Sequence, residues 1–378
     1  MHEARGPRPG GRPRVAVLYA TDEGVDGGGS DRRVAALLAG LKEIADLQVI
    51  NPGAGSHRPH GWARIRAAAA GVPPRISQQY QPGRNLEVRR RLQHADVILA
   101  ATVFSLPYVP RSLRTRTILD AHNVESLVVS QLAATDPSRW RRFAYRATVR
   151  WTERWEKAVV RDLGQVWAVS ENEAEWFSQA GARAVVVVPN GVDIDVPPAA
   201  ADAREVVFVA SFGSTFNRQA LGWFLERVWP SIRAMRPATV LTLVGRGSEQ
   251  FNGPGVTARG FVPEIHDAYR TARVAIAPLI SGAGTRLKVL ESLAHRVPVV
   301  STHRGAEGLD LRADEDYFLA DDPEDFARAC LRLLTDDGLH ERMASRGAAS
   351  VAGRYSWPAS CEQAAGALLA LSGRLAKT

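Results

Sequence analysis

The chain has 378 residues and a hydrophobic content of 45%, which is long for a single core and favours two domains. Its 48 Lys and Arg outnumber 40 Asp and Glu, giving a net charge of +8, and this excess lies in the first half of the chain. The only two cysteines, Cys330 and Cys361, exclude a disulfide framework and a cysteine-based zinc site, and no apolar run approaches the roughly 20 residues of a membrane-spanning helix.

The first half of the chain has the pattern of a parallel sheet. Residues 1–13 are rich in Pro, Gly and Arg and match neither a secretory signal nor a membrane anchor, so we expect a disordered tail on a cytoplasmic protein. Residues 14–193 alternate β-branched runs with helical stretches, as in an α/β domain, whereas residues 51–85 show no clear pattern. Strands are predicted at Val15–Tyr19, Leu47–Ile50, Asp96–Ala101, Thr117–Asp120, Val166–Val169 and Val185–Val188.

A glycine turn, Gly27-Gly28-Gly29-Ser30, follows the first strand and precedes a helix predicted from Asp31 to about Glu43. Glycine allows the backbone to approach a phosphate or a sugar closely, although a tight turn alone would also explain it. The turn is not Gly-x-Gly-x-x-Gly, which argues against dinucleotide binding.

The segment Arg139–Leu163 is a long helical pattern with several tryptophans among many arginines. It suits an anionic membrane surface. A stripe facing the core explains its helical spacing as well, and we favour that interpretation. The stripe consists of Trp140, Ala144, Ala147, Trp151 and Trp155.

The second half repeats the α/β pattern after a Pro- and Ala-rich linker at residues 194–204. Residues 205–355 are predicted to form a second domain, and residues 356–378 a helix that returns towards the first. Long helices are expected at Arg218–Ala234 and Arg286–His295, with others from about Asp322. Strands are predicted at Val206–Ala210, Val240–Val244, Val256–Val262, Val274–Pro278 and Val297–Ser301.

The segment from Gly282 to Ser301 carries the clearest chemistry. It predicts a glycine-rich loop followed by the N-terminus of a helix, which together offer backbone N–H groups to a phosphate. Lys288 lies one turn inside that helix, and Glu291 follows on the same face. A cation beside a phosphate site, with a carboxylate further along, suits a ligand with a diphosphate and a ribose, such as a nucleotide-sugar.

Four groups of motifs stand out along the chain: Asp120–Glu125; Val169–Glu173 with Val188–Asp193; Val207–Gly213 with Asn217; and Gly245–Gly247 through Gly260–Val262, Gly282–Glu291 and Gly305–Gly308. Together they resemble the motifs of the GT-B glycosyltransferases, and among them the retaining family four, and they occur in the family's order over roughly residues 14–360. The resemblance implies two Rossmann-like, doubly wound domains that face each other across a cleft.

The same resemblance implies roles for individual residues. Lys288, Arg218 and His122 would be catalytic: the two cations stabilise the departing diphosphate and the histidine hydrogen-bonds the donor sugar. Glu291 would accept hydrogen bonds from the ribose. The further donor-binding residues would be Gly213, Asn217, Arg246, Phe261, Val262, Gly282, Ala283, Gly284 and Thr285, and Gly28, Gly29 and Ser30 would form an acceptor or donor loop.

The expected reaction is retaining transfer of a sugar from a nucleoside diphosphate donor to a glycan, a lipid-linked glycan or a small molecule. We expect no metal and no cofactor, because protein cations and a helix dipole can take the metal's role. We expect no nucleic acid partner. The alternative noted above is a peripheral contact of the basic N-terminal domain with the inner face of an anionic membrane. Ala283 stands where the family usually has the first glutamate of Glu-x7-Glu. This departure keeps two rivals open, a non-catalytic nucleotide-sugar-binding protein and a sugar-nucleotide epimerase.

Overall fold

The computed structural model describes residues 11–20, 29–52, 61–200, 203–282 and 286–377. They form two compact units, each with a six-stranded sheet. The first unit comprises the described residues up to Asn190 and those from Trp357 onwards, and the second those from Gly191 to Ser356. Among the helices of these ranges, none combines the length and the apolar content that crossing a bilayer requires.

The sheet of the first unit is parallel throughout, in the order β2-β1-β3-β4-β5-β6. Its central strands are buried on both faces, which explains their continuous apolar runs. The topology reverses between β1 and β3, and such a reversal opens a crevice at the carboxyl ends of the strands. The strands are β1 Arg14–Leu18, β2 Asp46–Ile50, β3 Val97–Ala100, β4 Thr117–Ala121, β5 Gln165–Ala168 and β6 Val185–Val187.

Helices cover both faces of this sheet. Alternate residues of β1 enter different cores: Ala16 and Leu18 enter one, and Val15 and Val17 the other. The last helix of the chain, α14, packs on α1, where a Cβ at Gly40 would lie 2.6 Å from Cys361 Cβ. The helices are α1 Gly29–Leu41, α2 Gly61–Ala69, α3 Asn85–Leu92, α4 Glu125–Thr135, α5 Arg139–Val160, α6 Glu171–Gln179 and α14 Trp357–Leu375.

The sheet of the second unit is also parallel, in the order β12-β11-β10-β7-β8-β9. Counted within the unit, this is the Rossmann order 3-2-1-4-5-6, with the reversal between β7 and β10. The Pro- and Ala-rich stretch after Gly191 lies against this unit, where Ala199 N donates to His295 O at 3.1 Å. The strands are β7 Glu205–Val209, β8 Leu241–Val244, β9 Val256–Gly260, β10 Ala272–Ala277, β11 Val299–Ser301 and β12 Phe318–Leu319.

The helices of the second unit also lie on two cores, one on each face of the sheet. A five-residue π-helical segment, Phe224–Val228, separates α7 from α8. Pro230 follows it, and a proline inside a helix removes one hydrogen bond and crowds the preceding turn. The helices are α7 Thr215–Trp223, α8 Trp229–Met235, α9 Ile265–Tyr269, α10 Leu287–Ala294, α11 His303–Ala306, α12 Pro323–Thr335 and α13 Asp337–Arg354.

The predicted α/β fold class and the predicted strands are confirmed, with strand bounds within two residues of those expected. Three expectations are corrected. Gly29 and Ser30 begin α1 and are not part of a loop. The helix expected at Arg218–Ala234 is divided by the π-helical segment. The stripe on α5 does not face the core in its first half, where Trp140, Ala144 and Ala147 are exposed.

Candidate functional site

The cation predicted to be functional, Lys288, lies in the first turn of α10 in the second unit. Its Nζ donates to Asn217 Oδ1 at 2.9 Å and lies 4.9 Å from the centre of the Phe208 ring. Burial, together with the charge of Arg286, lowers the pKa of Lys288 to about 7, and Glu291 partly opposes both effects. Among the described residues, no carboxylate forms a salt bridge with this half-buried ammonium group. Its hydrogen-bond partner is a neutral amide.

The loop after β7 brings Asn217 to Lys288. Asn217 Nδ2 donates to Ser211 O at 2.8 Å, which orients the amide so that its oxygen faces the lysine. Arg218 is exposed, and its guanidinium donates to Phe212 O at 2.7 Å and Gly213 O at 2.8 Å. The arginine therefore braces the loop that contains Gly213.

The glycine-rich loop before α10 is described only in part. Gly282 has φ +122, a conformation that L side chains rarely adopt, and a Cβ there would lie 3.3 Å from Phe216 Cβ. Ala283, Gly284 and Thr285 lie outside the described residues. The role predicted for their backbone amides therefore stays a prediction.

Arg286, which the sequence analysis missed, is buried between this loop and the turn after β11. Its guanidinium donates to Gly282 O at 3.1 Å and to Glu307 Oε2 at 3.2 Å. Glu307 also accepts from Arg304 at 2.5 Å. The sequence contained one signal for Arg286, since two basic residues, Arg286 and Lys288, directly follow a glycine-rich loop. It did not indicate the partner of Arg286, because Glu307 lies 21 residues further along the chain.

Glu291 is 5% exposed, at the depth of the core. The carbonyl oxygen of this residue is 2.7 Å from His295 Nδ1. His295 in turn stacks on Tyr269, whose hydroxyl donates to Lys288 O at 3.2 Å. His295 and Tyr269 thus hold the part of α10 that contains both predicted charged residues, Lys288 and Glu291.

The loops after β8 and β9 adjoin the loop after β7. Phe212 N donates to Arg246 O at 2.9 Å. The Arg246 guanidinium lies 4.3 Å from the centre of the Phe261 ring, which is 48% exposed. Gly245 must be a glycine, because a Cβ would lie 2.0 Å from Ala210 O. Val262 packs partly on the core. The second unit thus brings Gly213, Asn217 and Lys288 together, with Arg246 and Phe261 beside them.

In the first unit, His122 follows β4. Its Nε2 lies 3.2 Å from Asp120 Oδ2, and Asp120 is in turn bonded to the buried Arg33, NH2 to Oδ1 at 2.7 Å. Burial raises the pKa of Asp120, but Arg33 and His122 outweigh it and bring that pKa to about 2. Arg33 also donates to Val188 O at 2.9 Å, Pro189 O at 3.0 Å and Asn190 Oδ1 at 3.0 Å.

The turn that carries His122 is held from the other side by Glu156 on α5. Its two carboxylate oxygens accept from Glu125 N at 2.9 Å and Ser126 N at 3.0 Å, at the start of α4. Burial raises the pKa of Glu156 to about 7. The sequence analysis missed both Arg33 and Glu156, because their partners lie 87 and about 30 residues away.

Of the loop predicted to bind acceptor or donor, Gly28 lies outside the described residues, and Gly29 and Ser30 form the first turn of α1. A metal site has no support in the part of the chain that the structure describes, where no group of three or more His, Cys, Asp or Glu could hold an ion. Metal independence itself stays a prediction.

Two family models match the chain. The model "Glycosyltransferase Family 4" matches residues 27–196, and "Glycosyl transferases group 1" matches residues 203–336. The phosphatidyl-myo-inositol mannosyltransferase of Mycobacterium leprae is 28% identical over 221 residues, which are 54% of this chain and 57% of that protein. The lipopolysaccharide core biosynthesis glycosyltransferase LpsE of Rhizobium meliloti is 29% identical over 208 residues, 52% of this chain and 56% of that protein. The chain thus spans little more than half the length of the curated relatives it matches.

Solved structures share the fold along nearly the whole chain. Sucrose-phosphate synthase from Thermosynechococcus elongatus has a TM-score of 0.70 at 17% identity, covering 96% of this chain and 100% of that one. Anabaena HepE, solved in complex with UDP-glucose, has a TM-score of 0.66 at 16% identity, covering 95% and 100%. One family model matches most of the first unit and the other most of the second. The chain therefore belongs to the group 1, family four glycosyltransferases and has their GT-B architecture.

Proposed function

We propose that the protein is a retaining, metal-independent glycosyltransferase that moves a sugar from a nucleoside diphosphate donor to an acceptor. The observation that carries the proposal is the state of Lys288. This ammonium group lies near the topological switch point of a Rossmann sheet, is bonded to a neutral amide at 2.9 Å, and has a pKa lowered to about 7. A desolvated cation that no salt bridge within the described ranges neutralises favours an anionic ligand.

Such a cation would stabilise the diphosphate as it leaves the sugar. Breaking the bond between the sugar and the phosphate leaves negative charge on the diphosphate, and a fixed cation in a poorly solvated site stabilises that charge. The diphosphate in turn favours the protonated lysine. Lys288 would therefore be charged in the complex at a pH where it is partly neutral in the free protein.

The neighbouring groups suit the rest of the donor. The exposed ring of Phe261, with Arg246 over it, offers an apolar and polarisable surface to a nucleobase, with Val262 next to it. Glu291 would accept the ribose hydroxyls, and Gly213 leaves room near the phosphates. Arg218 uses its guanidinium on two loop carbonyls, so we assign it a supporting role at the diphosphate. For His122, with its ring oriented by Asp120, we propose a hydrogen bond to a hydroxyl of the transferred sugar.

The acceptor is proposed to be a glycan, a lipid-linked glycan or a small molecule. The relatives named for phosphatidyl-myo-inositol and for lipopolysaccharide core synthesis support the first two. Cys330 and Cys361 are free, which suits the reducing cytoplasm. We place the reaction there, and no cofactor is required.

Calorimetric titration of UDP, GDP and ADP into the purified protein tests the donor site. We expect one nucleotide to bind, and Lys288→Ala to weaken that binding roughly 10–100-fold, the range for losing a hydrogen bond to a charged group. Lys42→Ala, at an exposed position of the first unit, is the matched control. UDP is the first to try, because HepE was solved with UDP-glucose. Failure of all three to bind would overturn the proposal.

A second experiment separates transfer from its rivals. The protein is incubated with sugars linked to the nucleotide that binds, with and without a glycan acceptor. The nucleoside diphosphate should be released faster when the acceptor is present, and NMR should show that the transferred sugar keeps its anomeric configuration. EDTA should leave the rate unchanged. Conversion of the donor without acceptor would indicate an epimerase, and binding without any turnover a non-catalytic protein.

A further inference from the structure

In the first half of α5, residues 139–149, no residue is buried. The residues buried on this helix are Thr152, Glu156, Val159 and Val160, all in its second half. Before them, Trp140 is 84% exposed and Phe143 is 69% exposed. The two side chains lie three positions apart on the helix and so neighbour each other, and contiguous exposed apolar side chains are typical of an interaction surface.

The charges around these rings have one sign. The segment from residue 139 to 152 contains five arginines and no acidic residue. One of them, Arg142, donates to Asp136 O at 2.7 Å, and the other four are exposed. We call the exposed residues that share one side of the helix the arginine–aromatic face; it consists of Arg139, Trp140, Phe143, Arg146 and Arg150.

A second helix of the same unit has the same character. On α2, Trp62 is 77% and Ile65 59% exposed, and the helix contains two arginines and no acidic residue. Just beyond its end, Gly71 O accepts a hydrogen bond from Trp151 Nε1 of α5 at 3.2 Å. The bond joins α5 to the turn that follows α2, and both helices thus carry exposed apolar and basic residues.

We propose that the arginine–aromatic face docks on the surface of an anionic lipid bilayer. Tryptophan and phenylalanine insert at the boundary between headgroups and acyl chains, and arginines bind lipid phosphates. A second copy of the chain is a poorer occupant, because a twofold interface would place arginines against arginines. A lipid surface offers phosphates to the arginines and acyl chains to the aromatic rings. The inference does not depend on the donor site, since it concerns only the first unit.

Flotation with two kinds of vesicle tests the proposal. One contains phosphatidylcholine alone, and the other equal amounts of phosphatidylcholine and phosphatidylglycerol. The full chain should float with the anionic vesicles only, and added salt should weaken the binding. The variant Trp140→Ser/Phe143→Ser should bind about tenfold more weakly or worse, because binding scales with the apolar area inserted. Circular dichroism and thermal unfolding should show it folded, since both side chains are exposed.

Two further variants sharpen the result. Met235→Ser/Arg236→Gln removes an apolar side chain that is 73% exposed and a neighbouring arginine from the second unit, and it should bind like the wild type. Arg139→Gln/Arg146→Gln/Arg150→Gln should lose the preference for anionic lipid. Absence of wild-type flotation, or equal flotation of the wild type and the Trp140/Phe143 variant, would overturn the proposal. So would a dimer in sedimentation velocity that Trp140→Ser dissociates.

Discussion

The two units hold their central cations in opposite ways. In the first unit, Arg33 is buried and bound to Asp120, to two backbone carbonyls and to the amide oxygen of Asn190. In the second unit, Lys288 is half-buried, and its hydrogen-bond partner among the described residues is the neutral Asn217. A fully paired charge cannot serve a ligand without breaking its own network, whereas Lys288 can exchange or add a partner. Arg33 is thus a scaffold and Lys288 a binding group.

The largest effect should follow from breaking the scaffold. Arg33→Leu leaves the Asp120 carboxylate buried without its cation, and we expect it to lower the free energy of unfolding by about 3–5 kcal/mol. Urea unfolding followed by circular dichroism measures this. Arg84→Leu is the control: its pair with Glu87, at 3.1 Å, is exposed and should contribute at most about 1 kcal/mol. Similar losses in both variants would contradict the comparison.

Acid should affect the same pair. The pKa of Asp120 is about 2, below its ordinary value of 3.8. Its contribution is therefore fully present above 3.8 and is lost as the pH falls towards 2. This contribution amounts to about 2 kcal/mol. Unfolding free energies measured across this window should fall more steeply for the wild type than for Asp120→Asn, which cannot titrate. Parallel curves would show that the carboxylate is not held by Arg33 and His122.

Alkali should affect the binding group instead. Because the pKa of free Lys288 is about 7 and a diphosphate favours its charged form, nucleotide binding above pH 7 should take up a proton. Affinity should then fall by up to about tenfold for each pH unit above 7, as Lys288 of the free protein loses its proton. Calorimetry at pH 8 in buffers of different ionisation enthalpy detects the proton directly. Lys288→Arg remains charged throughout, so any binding it retains should lack this pH dependence.

The smallest effect should come from the exposed ring beside the cation site. Phe261→Ser removes the surface on which Arg246 lies and, in our proposal, the nucleobase rests. We expect a loss of about 1 kcal/mol in nucleotide affinity, roughly fivefold, and no change in stability, since the ring is half exposed. Inorganic diphosphate, which has no base, should bind the variant and the wild type equally. An equal loss for both ligands would place the effect on the loop and not on the base.

The strands were accessible from the sequence, whereas the partners of the candidate residues were not. A buried parallel strand such as β3 is apolar at every position, and this local signal marks its bounds. The pairing of Arg33 with Asp120 joins residues 87 apart, and no local pattern reports it. The strand β12 has two residues and is too short to show a period. On α5, helical spacing identified the stripe but not which side of the helix faces the core, because aromatic residues suit both a core and a surface that binds lipid.

The packing of α14 on α1 has a consequence for how the protein is made. Leu37 and Leu41 of α1 share a core with Leu368 and Leu371, which belong to the last helix of the chain. A ribosome releases the first unit's sheet early, but the helix that covers this face emerges only after the whole second unit. Until α14 is synthesised, one apolar face of the first unit therefore stays exposed, and a chaperone would act at this stage. For the same reason, a C-terminal truncation that removes α14 would destabilise the first unit, although most of that unit comes from the N-terminal residues.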